Sequence, residues 1–158
     1  MAAREANGRD RVLAVEQTLR RAMVARHGVD VGTDAAAEAI AWALEHPERV
    51  ADIDNLAGYL YRVGQTAAGR YRRWWQRSVS LSETSTDQRA VDDQVFDLDL
   101  FRAIEGLRHE QRVAVVMVHC WAYSYREVAA VLGTSESAVT NHVHRGLQRL
   151  RAELGGAR

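Results

Sequence analysis

Four aliphatic residues near the end of the chain, Val139, Val143, Leu147 and Leu150, recur at steps of four, four and three. At about 100° per residue they fall on one narrow helical face, which must pack inward. The opposite face carries Ser137, Asn141, His144, Arg145 and Gln148, with Thr140 on its flank. These side chains can hydrogen-bond base edges and phosphates. Just upstream, Ser124 and Glu127 have the spacing of a capping box, and Val128, Val131 and Leu132 follow at helical period. Gly133 stands where a helix end needs positive φ, and Ser135 can cap the next helix. A helix, a glycine turn and a polar-faced second helix make a helix-turn-helix. An ordinary helical hairpin with a solvated face has the same periodicity.

The whole chain is 158 residues, enough for one domain or two small ones. Acidic and basic residues balance at 21 each, so net charge does not point to a nucleic-acid partner. Every basic residue is arginine, which favours bidentate contacts to phosphate and carboxylate. One proline implies helices with short connections. The single cysteine, Cys120, excludes an internal disulfide and is expected to be a buried thiol in the apolar run VAVVMVHCW. No apolar run reaches the roughly 18 residues of a membrane span, and the N-terminus lacks a signal-like core, so a cytoplasmic protein is expected.

In the N-terminal half, Met1 to Arg9 is expected to fray, and Asp10 to open a helix that breaks at His27-Gly28. Thr33 or Asp34 can start a second helix, alanine-rich, ending before Pro47. Asp52 or Asp54 can open a third, with Leu56, Leu60, Val63 and Ala67 along one face. Its later part, from Arg62 to Arg77, carries five arginines and no acid, interleaved with Tyr71, Trp74 and Trp75. Arginine with aromatics suits phosphates and unpaired bases, although a solvated helix end with core aromatics reads the same way. Ser78 to Asp97 is polar, acidic and rich in Ser and Thr, as expected of a linker. Beyond it, Leu100, Phe101, Ile104 and Leu107 form a short amphipathic stripe, and His109 to Trp121 a helix with Val113, Val116, Met117 and Cys120 inside. Ala152 to Arg158 is expected to fray. The expected fold is all-α: two small helical domains, 1–77 and 97–158, joined by an acidic linker, 78–96, the second a four-helix domain with the helix-turn-helix.

The string from Leu107 to Arg151, with EQR opening an apolar helix, then YSYREVAAVLG, then HRGLQRLR, resembles region four of the sigma-70 family, most of all the small extracytoplasmic-function sigma factors. Asn55 to Arg73, NLAGYLYRVGQTAAGRYRR, resembles regions 2.3 and 2.4 of the same family, and the two matches stand in the family's order. The resemblance implies a small alternative sigma factor whose partners are RNA polymerase core, promoter DNA and, in some members, an anti-sigma factor. It implies that Arg126, Ser135, Ser137, Thr140, Asn141, His144, Arg145, Gln148 and Arg149 meet the minus-35 element. It further implies that Asn55 lies near the flipped base of the minus-10 element, with Tyr61, Arg62, Gln65, Arg70, Arg73 and Trp74 along the opened strand or the duplex upstream. Asp34, Glu38 and Trp42 would then face the polymerase clamp. In the family that clamp-facing helix carries more acids and a glutamine before an aromatic, so the alanine-rich version here departs from the pattern.

Two other readings use the same residues. VTNHVHRGLQRL also resembles the helix-turn-helix of response-regulator activators, which lack the Asn55–Arg73 motif. A sigma-like adaptor that mainly binds a protein partner would explain the alanine dilution. No cofactor or metal site is expected. His119-Cys120 and His142/His144 are adjacent or i, i+2 and share no helical face, and no nucleophile–base–acid set has recognisable spacing, so no enzyme is expected.

Overall fold

The structure is a computed structural model that describes residues 1–79 and 98–156, and every element among them is helical. The expected acidic linker lies outside the described residues, apart from the end of the preceding helix. The N-terminal half comprises α1 (Ala2–His27), α2 (Val29–Glu45), a single turn α3 (Pro47–Val50) and α4 (Leu56–Val79). The C-terminal half comprises α5 (Leu98–Glu105), α6 (His109–Val115), α7 (Tyr125–Leu132) and α8 (Glu136–Gly155).

Helix α1 starts at Ala2 instead of Asp10, so the expected fraying does not occur. Arg4 pairs with Asp52. Gly8 is buried where an added Cβ would come within 2.2 Å of the Pro47 carbonyl oxygen, so only glycine lets α1 lie this close to α3. Arg11 donates to the Ala51 and Ile53 carbonyls, satisfying the backbone after α3. Helix α2 begins directly after Gly28, which takes φ 84°. Its alanines Ala35, Ala36, Ala39 and Ala43 are buried, so small side chains let α2 approach α1 and α4 closely. Pro47 both follows α2 and opens α3, where its missing N–H costs nothing. The cap of α4 is Asn55, not Asp52 or Asp54: its Oδ1 accepts from Gly58 N at 3.0 Å.

Helix α6 is shorter than its pattern predicted. After Val115 the chain widens into a π-helical turn, Val116–Cys120, and Ala122 then takes φ 57°. A wider turn shifts the helical phase, which turns Cys120 out to solvent instead of burying it. Met117 stays in the core, and Val116 is half-buried. At the other end, α8 runs through the expected frayed tail to Gly155.

One buried cluster runs through both halves. Leu19, Met23, Leu60 and Tyr61 of the N-terminal half share it with Val113, Met117, Val128 and Val139 of the C-terminal half. A smaller cluster of Ala103, Leu107, Val115 and Leu150 anchors α5 to α6 and α8.

Candidate nucleic-acid interface

Local chemistry fixes the helix-turn-helix. Ser124 Oγ accepts from Glu127 N at 3.1 Å, and the Glu127 carboxylate accepts from Ser124 N at 2.8 Å, completing the capping box at the start of α7. At the other end Gly133 adopts φ 64°, ψ 39°, and Thr134 N donates to Ala129 O at 3.0 Å. This left-handed residue satisfies the last carbonyls and turns the chain. Ser135 Oγ then accepts from Ala138 N at 3.1 Å and opens α8.

Along α8, Val139, Val143 and Leu150 are buried and Leu147 is half-buried. Gly146 is buried between them. A Cβ there would meet Val115 Cγ2 at 2.7 Å, so glycine sets how closely α8 lies on α6. The opposite side is open: Ser135, Ser137, Thr140, Asn141, His144, Arg145, Gln148 and Arg149 are all exposed, as is Arg126 on α7. Several of these already have local partners. Thr140 Oγ1 donates to Glu136 O at 3.0 Å, Ser135 and Ser137 hydroxyls lie 3.2 Å apart, and Arg149 pairs with Glu153 at 3.2 Å. Arg126 and Arg145 make no ion pair among the described residues. Both guanidinium groups lie on an outward face.

The residues expected on the opened strand are arranged differently. Asn55 Nδ2 donates to Ala130 O of α7 at 2.8 Å while its Oδ1 caps α4, so both ends of the amide are engaged. Tyr61 is only 5% exposed, and burial pushes its phenol pKa above the usual value. Gln65 Oε1 lies 2.9 Å from His27 Nε2. Burial is the main reason the His27 imidazole is held down to about 4, with Arg72, Arg26 and His109 adding repulsion and the Gln65 bond opposing them. Arg62 is exposed and reaches the neighbourhood of Gly133. Farther along α4, Arg70, Arg73 and Trp74 are exposed, Trp74 by 56%.

The three residues expected to face a polymerase clamp also separate. Asp34 is exposed, Glu38 pairs with Arg70, and Trp42 is half-buried, stacked on His46 with ring centres 5.1 Å apart. Asp34, Glu38, Arg70, Tyr71, Trp74 and Trp75 line an open groove of about 590 Å³.

Contacts between the halves carried no local sequence signal. Arg21 of α1 sits with its guanidinium carbon 5.7 Å from the ring centres of both Trp121 and Tyr123, and donates to the Tyr123 hydroxyl at 3.3 Å. Arg26 and Glu110 approach to 3.6 Å, and Arg112 Nη1 donates to Arg26 O at 3.2 Å. Among the described residues no group of three or more His, Cys, Asp or Glu is placed to hold a metal ion, and no helix is long and apolar enough to cross a membrane.

The family described as sigma-70, region 4, matches residues 97–150. The chain is 36% identical over 114 residues to the RNA polymerase sigma-E factor of Streptomyces antibioticus, covering 68% of this chain and 61% of that protein. It is 41% identical over 112 residues to the sigma-E factor of Streptomyces avermitilis, covering 66% and 60%. It thus spans about three fifths of the length of these relatives. Among solved structures, the sigma factor RpoE in complex with the anti-sigma factor NepR from Bartonella quintana shares the fold, with a TM-score of 0.59 and 21% identity over 94% of this chain and 97% of that one.

Proposed function

We propose that this chain is a small alternative sigma factor of the extracytoplasmic-function group of the sigma-70 family, binding RNA polymerase core and directing it to promoters. The observation that carries this reading is the division of α8. Its aliphatic side is buried, its N-terminus is capped by Ser135, and its polar side with Arg145 is open to solvent. A helix held this way can enter a major groove. Ser137, Thr140, Asn141 and His144 would face bases of the upstream element, while Arg126, Arg145 and Arg149 hold phosphates.

The N-terminal half would take the downstream element as single strand. Asn55 and its neighbours would capture a flipped base, at an unstacking cost of a few kcal/mol. Asp34, Glu38 and Trp42 would meet the polymerase. An anti-sigma factor, the partner in the solved neighbour's complex, is a further expected partner. The chain would work in the cytoplasm, by binding alone and with no catalysis of its own. Its balance of 21 acidic and 21 basic residues suits a protein whose DNA affinity is supplied largely by polymerase.

The test is copurification with core polymerase followed by run-off transcription, using promoters of genes whose transcripts rise when the chain is overproduced. Core-dependent transcripts from those promoters are expected, and no polymerase binding would refute the reading. Stable polymerase binding without any promoter-dependent transcript would indicate a protein-binding adaptor instead. Duplex binding as a dimer, without polymerase, would indicate a stand-alone regulator.

A further inference from the structure

We propose that the open groove between α2 and the outer end of α4 binds a small organic cation, an alkylated ammonium or alkylguanidinium compound free in solution. Its lining joins the two chemistries that such a group needs. Tyr71, Trp74 and Trp75 supply aromatic surface, and Asp34 and Glu38 supply carboxylates. The space between them, about 590 Å³, lies within the roughly 300–1,000 Å³ usual for small-molecule sites. Trp74 is 56% exposed and Trp75 44%, with ring centres 5.4 Å apart and ring planes at 80°. That edge-to-face contact holds the pair while leaving apolar surface in water. Tyr71 packs against the core, whereas neither tryptophan belongs to it, so the fold gains little from either ring.

Charge decides between ligand classes. Arg70 is the one cation among the six lining residues, and its guanidinium pairs with Glu38. Asp34 is exposed and makes no ion pair among the described residues. The lining therefore keeps one uncompensated negative charge, two carboxylates against one guanidinium. Both carboxylates reach the Tyr71 phenol, whose pKa is raised by burial first and then by Glu38 and Asp34. Arg72, Arg73 and Arg77 of the same helix do not line the groove. An anion entering here would meet two carboxylates. A neutral apolar ligand would cover Asp34 and give it no partner, which costs free energy. An organic cation meets aromatic faces and a carboxylate together, and its attraction to the rings grows as water is excluded. Asp34, Glu38, Arg70 and Trp74 also belong to the faces assigned above to polymerase and DNA, but binding of a free cation does not depend on that assignment.

The experiment follows the indole N–H signals of the four tryptophans by NMR on the intact chain, assigned with Trp74→Phe and Trp75→Phe. Choline is titrated beside its neutral carbon analogue, butylguanidinium beside butylurea, and inorganic phosphate by itself. At least one cation should shift the Trp74 and Trp75 signals, leave those of Trp42 and Trp121 in place, and bind roughly tenfold more tightly than its neutral counterpart. Trp74→Ala should weaken that binding about fivefold and Asp34→Asn about threefold. Both positions are exposed, and thermal melting should confirm that the two variants stay folded. Arg70→Gln releases Glu38 and should tighten binding about threefold, a sign that a merely apolar groove would not give. Equal binding of a cation and its neutral counterpart would overturn the proposal, as would preferred binding of phosphate or weaker binding by Arg70→Gln. So would the absence of any shift at about 10 mM of either cation. An arginine-containing peptide that binds where both free cations fail would place the cation on a protein partner, and would overturn it too. Run-off transcription reads the sigma-factor assignment separately, so either can fail alone.

Discussion

Helices α4 and α8 are the two long helices proposed to meet DNA, and they differ in what lies across them. In α8 the apolar residues form one stripe, buried against α5, α6 and α7, and the polar side faces water. In α4 more of the helix is covered: Leu60, Tyr61, Gly64, Ala67 and Ala68 are all buried, so neighbours take up more of its circumference. Helices α1 and α2 take one part and α7 takes another. A polar face therefore stays available only where no other element has apolar surface to bury against its borders.

The largest expected effect tests the inward side of α8. Val143 is 4% exposed, and Val143→Asp would bury an unpaired carboxylate. We expect a loss of at least about 3 kcal/mol of stability, seen as loss of cooperative thermal unfolding in the C-terminal half. A variant that melts like the parent would show that α8 does not depend on this stripe.

On the outward side, Arg145→Ala should leave melting unchanged and weaken binding to upstream-element duplex by about 1–3 kcal/mol. Anisotropy titrations at fixed salt would measure it. Equal binding would move the duplex contact elsewhere. Smaller still is the effect at the turn's entrance: Ser124→Ala removes the capping box and should cost about 1 kcal/mol, read from denaturant midpoints. No change there would mean that tertiary packing alone positions α7.

The last and smallest effect tests the covered side of α4. The imidazole of His27, held at about 4 in the folded chain against 6.5 unfolded, faces Gln65 and Arg72 from α4, Arg26 on its own helix and His109 from α6. Burial lowers His109 as well. Above pH 6.5 neither state takes up the proton at His27, and stability is full. As pH falls from 6.5 towards 4 the unfolded chain binds the proton first, so stability declines across that window and levels off below it. Because His27 is only partly buried, the decline should be shallow. Chemical denaturation from pH 7 to 4 would follow it, and His27→Gln should flatten its share; an unchanged slope would assign the decline elsewhere.

The C-terminal half was the more legible because its signals are local. The Ser124–Glu127 box, Gly133 in the left-handed region and the Ser135 cap each act within a few residues, and each stands where its spacing placed it. Sequence and structure part where distant elements decide. The polar composition at the start of α1 predicts fraying, yet Asp52, Pro47 and Val50 hold the helix from outside. An even helical phase through the apolar run predicts a buried Cys120, and a π-helical turn breaks that phase. Asn55 was singled out by resemblance alone, with nothing to indicate its bond to α7.

Sequence alone determined that this chain is helical, where its helix-turn-helix begins and turns, and which side of α8 is apolar, because capping, glycine geometry and 3.6-residue periodicity are short-range. Only the tertiary structure decided that the two halves share one core, that Arg21 clips Trp121 and Tyr123, and that Asn55 is spent on Ala130. Those contacts join residues dozens of positions apart, and which of several possible apolar surfaces meet is settled by packing of the whole chain.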